Sequence, residues 1–222
     1  MRFAITPEQR DFFHKNQFIE FEKLLSPEQI GAIDKEAKEV ISHRLKVPIS
    51  KWETLPLHAL YNAGYDLWRD AAQVKKATHK LSIAHIASEI FDTSPLRIAF
   101  DQLCISGSSC PFQNSLPLIE ISSVKPLAGG ILFLLSDAVI LKEFPLPQAA
   151  GNALFFGPTL PIPWTQLFSM PHFSFLLVVF APEKSFYRQE PNHPHSSLFK
   201  RRGYVFNDHL KESFHPVVFG KK

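Results

Sequence analysis

The sequence predicts an α+β chain, a helical layer followed by a β core of barrel or sandwich type, and three observations predict it. Charge is unevenly spread: residues 1–94 carry 13 basic and 13 acidic side chains, residues 95–180 only 3 and 4, and residues 181–222 carry 8 and 4. The charge-poor middle also holds 10 of the 18 prolines, so its apolar runs are short and bounded, as buried strands are. The first third instead repeats helix-start signals followed by apolar residues at helical spacing.

Taken in order, Thr6-Pro7-Glu8-Gln9 has the capping-box form with Pro at the first helical position, where its missing N–H is no loss. Phe18-Ile19-Glu20-Phe21 alternates as a short strand does. Ser26-Pro27-Glu28-Gln29 repeats the start signal, and Ile30, Ile33, Ala37, Val40 and Ile41 behind it form one helical face. A third helix holds Leu57, Leu60 and Tyr61, and a fourth is expected from Ala71 to Phe91, stopped by Asp92-Thr93-Ser94-Pro95. Strands are then expected at Leu96–Ile105, Leu118–Ser122, Ile131–Leu135, Ala138–Leu141, Ala153–Phe156 and Phe173–Phe180, with Gly129-Gly130 as a turn before a strand. One domain spans 1–222, with a helical layer at 1–94, a β core at 95–182 and a basic C-terminal extension at 183–222.

Composition excludes several classes. A net charge of +3 is too small for a general nucleic-acid coat. Acid and proline interrupt the opening residues before any signal-peptide core forms, and the apolar run Phe173–Ala181 is about half of the ~20 residues a membrane-spanning helix needs. Two cysteines, Cys104 and Cys110, make no disulfide framework, so a reducing cytoplasm is the expected compartment. No G-x-S-x-G and no phosphate-binding loop occurs; Ser106-Gly107-Ser108-Ser109 is a plain loop.

Three local patterns carry a family likeness. Thr6-Pro7-Glu8-Gln9, Phe12-Phe13, Phe18-Ile19 and Leu24-Leu25-Ser26-Pro27-Glu28-Gln29-Ile30 follow one another at the start. Gly151-Asn152-Ala153-Leu154-Phe155-Phe156 forms a strand, and Pro194-His195 through Lys200-Arg201-Arg202-Gly203-Tyr204 ends the pattern. Together they resemble the phytanoyl-CoA dioxygenase-like proteins, members of the Fe(II)- and 2-oxoglutarate-dependent oxygenases. The resemblance implies a double-stranded β-helix (a jelly roll) with N-terminal helices packed against it. It also implies an iron centre of two His and one carboxylate, usually drawn from H-x-D or H-x-E on a strand plus a distal His, and an Arg or Lys gripping 2-oxoglutarate.

Those parts are absent from the sequence. None of the ten histidines has an acid two places on. Trp164 stands near the place of the distal His, and indole does not ligate iron. Met170-Pro171-His172-Phe173-Ser174-Phe175 supplies no Arg or Lys. No cofactor is therefore expected, with Fe(II) and 2-oxoglutarate entering only if atypical ligands serve.

Four residues stay as candidates for a pocket: Asp101, Glu120, Trp164 and His172. For three of them the plainer expectation is structural: His172 a bonded histidine at a strand edge, Glu120 on an outer strand face, Asp101 a polar-face or turn-bonded acid. His193-Pro194-His195, with His209 and His215, is expected as a solvated tail loop, since proline holds the two rings apart. Lys200-Arg201-Arg202 and Lys221-Lys222 are expected as a solvated basic tail. Phe133, Phe155, Phe156, Phe168, Phe173 and Phe175 fall where a barrel lining would lie and suit a filled core or a hydrophobic ligand. The sequence thus points to a non-catalytic descendant of an oxygenase fold that binds a small hydrophobic ligand or a protein partner. An active oxygenase with unusual ligands and an iron-responsive DNA-binding regulator are the alternatives, and a membrane partner is not expected.

Overall fold

The computed structural model describes residues 4–56, 58–105, 110–112, 115–136, 144–170 and 174–220. Its elements follow the chain as α1 (Pro7–Asn16), β1 (Phe18–Phe21), α2 (Pro27–Leu45), α3 (Ala59–Ala63), α4 (Ala72–Thr78), α5 (Leu81–Ile90) and β2 (Leu96–Ile105). There follow α6 (Leu118–Ile121), β3 (Val124–Lys125), β4 (Gly129–Leu134), β5 (Ala153–Phe156), α7 (Trp164–Ser169), β6 (Ser174–Pro182), β7 (Phe186–Tyr187), α8 (Ser196–Arg201) and β8 (Val217–Phe219). Short 3-10 turns at Ile49–Thr54 and Leu67–Arg69 link the helices. Both expected capping boxes form: Thr6 and Ser26 each accept the N–H of the residue three on, and Gln9 and Gln29 reach back to the cap N–H.

The main sheet has six strands in the order β1-β5-β4-β6-β2-β8, every neighbour antiparallel, and β3 pairs with β7 in a separate ladder. Side chains alternate across the sheet and divide the core in two. Ile19, Phe21, Ile131, Phe133, Phe155, Leu176, Val178 and Phe180 pack toward the helices, with Ile33, Ile41, Val74, Ile83 and Ile86. Leu132, Leu154, Phe156, Phe175, Leu177 and Val179 pack on the other face, with Leu118, Ile162, Trp164, Leu167 and Phe199. The phenylalanines expected as one lining are therefore split: Phe133 and Phe155 face the helices, Phe156 and Phe175 face away, Phe168 lies on α7, and Phe173 is outside the described residues.

One irregularity sets what the second face presents. The register of β2 against β6 shifts between Ile98 and Phe100, a bulge that inserts Ala99. Before it, Leu96 and Ile98 face the helices; after it, Leu103 and Ile105 do, while Phe100 and Cys104 join the opposite core. The bulge turns Asp101 to the helical side.

Three expectations need correction. Leu118–Ile121 is a single helical turn and not a strand, because Pro117 starts a helix whose Leu118 and Ile121, three apart, are both buried. The fourth helix is two, α4 and α5, broken at His79-Lys80. Gly129 and Gly130 lie inside β4 and not in a turn: a Cβ on Gly129 would stand 2.5 Å from the Phe91 ring and 2.8 Å from the Phe156 carbonyl oxygen. The strand expected at Ala138–Leu141 and the helical position Leu57 lie outside the described residues. Among the described residues no helix is long and apolar enough to cross a membrane.

Two glycines give opposite expectations in urea unfolding. Gly129→Ala should cost about 1–3 kcal/mol, since the clash is partly with backbone that cannot yield. Gly31→Ala, on the exposed side of α2 with nothing within 4 Å of its Cβ, should stabilise by roughly 0.5–1 kcal/mol. Equal effects at the two positions would contradict this packing.

Candidate functional site

The bulge places the site's first component. Asp101, fully buried, accepts the backbone N–H of Leu67 (3.0 Å) and of Trp68 (3.2 Å), so it holds the 3-10 turn that follows α3. Burial, with Asp66 nearby, pushes its carboxyl up to about 8, against the two N–H donors that favour the charged form. It is the turn-bonded acid of the sequence expectation and faces the helices.

Asp66, at the start of that turn, is buried and takes Arg69 Nε at 3.1 Å and Arg202 Nη2 at 2.6 Å. Arg202 comes from the end of α8, so the ion pair ties the C-terminal segment to the helical layer. Arg69 Nη2 adds a bond to the Phe214 carbonyl, and Arg97 Nη1 donates to the carbonyls of Leu210 (2.9 Å) and His215 (3.0 Å). Of the basic run, Lys200 and Arg201 are exposed as expected, whereas Arg202 is committed inward.

The histidines depart furthest from expectation. His193, His195 and His215 are 3%, 6% and 0% exposed, so the solvated tail loop is instead a docked one; His209 alone of this group is exposed. His195 lies between two tyrosines, its ring centroid 4.0 Å from Tyr65 and 5.5 Å from Tyr61, both stacked. His193 Nδ1 accepts the Ser123 N–H (3.3 Å), and His215 Nδ1 lies 2.9 Å from the Ala99 carbonyl, to which it donates. His215 also stacks on Phe199. The signal missed in the sequence was aromatic: Tyr61, Tyr65, Phe100 and Phe199 supply flat apolar partners that imidazole accepts when neutral. Burial first, then neighbouring positive or ionisable groups, holds His193 at about 3, and burial holds His195 and His215 at about 4.

Beside this locus opens a cleft of about 680 Å³ lined by His58, Asn62, Pro111, Phe112, Leu116, Pro191, Asn192 and Pro194. Its walls come from the start of α3, the segment before α6 and the turn that carries His193. Trp164 anchors one wall: it is buried, and its indole N–H donates to the Leu116 carbonyl at 2.9 Å, next to the antiparallel bridge of Leu116 with Ile162. Phe112 meets Trp164 (5.3 Å) and stands edge-on to Tyr61 (6.1 Å). Of the cleft residues the sequence singles out Pro194, within His193-Pro194-His195, but not as part of a cleft, because three separate segments supply the lining and no motif links them.

The remaining candidates scatter. Glu120 is exposed on α6, and His172 lies outside the described residues, as do Ser106–Ser109, Lys221 and Lys222. Cys104 and Cys110 are free thiols whose pKa values burial raises. Among the described residues, no three His, Cys, Asp or Glu side chains converge as ligands to one metal ion. The sheet face opposite the helices carries Leu, Val and Phe.

No family model and no curated protein matches this chain. Solved structures do. The non-heme α-ketoglutarate-dependent carbocyclase SnoK from nogalamycin biosynthesis superposes with a TM-score of 0.68 over 96% of this chain and 96% of its own, at 13% identity. The non-heme α-ketoglutarate-dependent epimerase SnoN, from the same biosynthesis, gives 0.63 over 95% and 97% at 12% identity. CT296 from Chlamydia trachomatis gives 0.51 over 82% of this chain and 98% of its own at 16% identity. What is shared is the fold: helices against a curled antiparallel sheet, as in non-heme iron enzymes that use α-ketoglutarate.

The buried titratable groups make stability depend on pH in a defined way. The three rings titrate lower in the folded chain than the ~6.5 of an exposed histidine, so their contribution is complete above that pH and is lost as pH falls toward 4. Asp101 runs oppositely: raised to about 8, its contribution is complete below the ~3.9 of a free carboxyl and is lost as pH rises through 8. Three rings outweigh one carboxyl on the acid side, so the urea midpoint should peak near pH 6.5 and fall on both sides. Asp101→Asn should flatten the decline from about pH 6.5 to 8 and leave the acid limb in place. An acid limb that His215→Gln does not make shallower would contradict the assignment.

Proposed function

We propose that the chain is a non-catalytic descendant of the Fe(II)- and 2-oxoglutarate-dependent oxygenases, related to the phytanoyl-CoA dioxygenase-like proteins, whose work is binding. On this reading the six-stranded sheet and the β3–β7 ladder are the two sides of a double-stranded β-helix, retained as scaffold. The cytoplasm, where both thiols stay reduced, is its proposed place.

The observation that carries the proposal is the chemistry of the sheet's second face. A two-His, one-carboxylate centre needs three donors on one surface with open positions beside them. Here Leu132, Leu154, Phe156, Phe175, Leu177 and Val179 occupy that surface, with Trp164 and Leu118 packed over them. These aliphatic and aromatic groups offer no donor to a metal or to an anionic co-substrate. Space for a ligand lies instead in the cleft beside Phe112, and its volume falls in the roughly 300–1,000 Å³ of small-molecule sites. The two acids buried nearest, Asp66 and Asp101, already serve Arg69, Arg202 and two backbone N–H groups. Asp101 spends both oxygens on backbone N–H groups, and Asp66 spends Oδ2 on its two arginines while its buried Oδ1 has no hydrogen-bond partner.

Anaerobic titration with Fe(II), read by metal content after desalting, together with release of carbon dioxide from 2-oxoglutarate, tests the proposal. Expected are substoichiometric iron and no release above a protein-free control. Stoichiometric iron with decarboxylation would overturn it in favour of an oxygenase with atypical ligands.

A further inference from the structure

We infer that the Phe112 cleft takes an uncharged, planar heteroaromatic ligand, oriented by the side-chain amides of Asn62 and Asn192. This rests on the reading of the chain as a binding protein and names what it binds.

Charge comes first. The lining residues are His58, Asn62, Pro111, Phe112, Leu116, Pro191, Asn192 and Pro194, among which there is no Asp, Glu, Lys or Arg. The carboxylate adjoining this set in sequence, Glu190, stands 3.8 Å from Lys125 in an ion pair. A phosphate or carboxylate entering the cleft would lose water without gaining a guanidinium or ammonium, the one titratable side chain of the lining being the His58 imidazole. The lining therefore selects against anions such as 2-oxoglutarate.

Shape comes next. Phe112 is buried between Tyr61, to which it stands edge-on, and Trp164, against which it is tilted, so it offers a rigid aromatic wall. Pro111, Pro191 and Pro194 hold restricted backbones and flat apolar rings, which lowers the ordering cost on binding. Such walls favour a flat guest over a branched aliphatic one.

Direction comes from the amides. Each Asn offers both a donor and an acceptor, the pattern that reads a ring nitrogen beside an exocyclic amine or carbonyl. They sit on elements that are held in place: Asn62 within α3, and Asn192 in the turn closed by the His193 N–H to the Glu190 carbonyl (3.0 Å) and locked by the His193 ring on Ser123.

The test is saturation-transfer NMR and calorimetric titration of the full chain with adenosine and nicotinamide, each beside its charged counterpart, adenosine monophosphate and nicotinate. Expected is saturable binding of the neutral probes, at least about tenfold tighter than the anions, weakened roughly fivefold or more by Asn62→Ala and by Asn192→Ala. Both asparagines are exposed, so neither variant should change the urea midpoint. Anions binding as well as the neutral probes, neutral binding indifferent to both variants, or no neutral binding at millimolar probe would each overturn the inference. Iron-dependent turnover of 2-oxoglutarate would instead overturn the reading beneath it, so the two failures are distinguishable.

Discussion

A single inserted residue in β2 governs the arrangement of everything on the C-terminal side of the molecule. The bulge at Ala99 changes which face each later residue of the strand presents. Asp101 consequently meets the N–H groups of Leu67 and Trp68, which orders the turn bearing Asp66, which in turn receives Arg202. The same bulge offers the Ala99 carbonyl to His215. Were β2 regular, Asp101 would share a face with Arg97, and the contacts that hold α8 and the Tyr65–His195 stack would lose their footing.

Much of the fold was legible because local signals and tertiary demands agree. Phe18–Phe21, Leu96–Ile105 and Ala153–Phe156 are strands with the expected bounds, and both capping boxes close as written. Leu118–Ile121 was not legible: four apolar-rich residues suit a strand or a turn of helix equally, and Pro117 decided between them through its backbone. The docked histidines were hidden for a different reason. His193-Pro194-His195 is polar by composition, and only partners 70 to 130 residues away, Ser123 and Tyr65 among them, make its burial favourable. The cleft was illegible for the same reason, being assembled from three segments with no shared motif.

The likeness to SnoK at 13% identity shows how little of a curled sheet's shape depends on particular side chains. Alternation of apolar residues and the position of the strand order specify the curvature; what points from the concave face is free to differ. In this chain the face opposite the helices is filled by aromatic and aliphatic groups. Beside it Tyr61 of α3 and the following Tyr65 stack with His195 of the C-terminal segment.

The ties that fasten the C-terminal segment span long stretches of chain: Asp66 to Arg202, Arg97 to Leu210, Ala99 to His215. During synthesis the ribosome delivers the helices and most of the sheet before any of those partners exists. Until then Tyr61, Tyr65 and Phe199's future neighbours stand open to water, and Asp66 lacks its second cation. The nascent protein therefore passes through an interval in which an apolar flank is uncovered, and closing it is a late, high-contact-order step that leaves the chain dependent on prompt completion or on a chaperone's shelter.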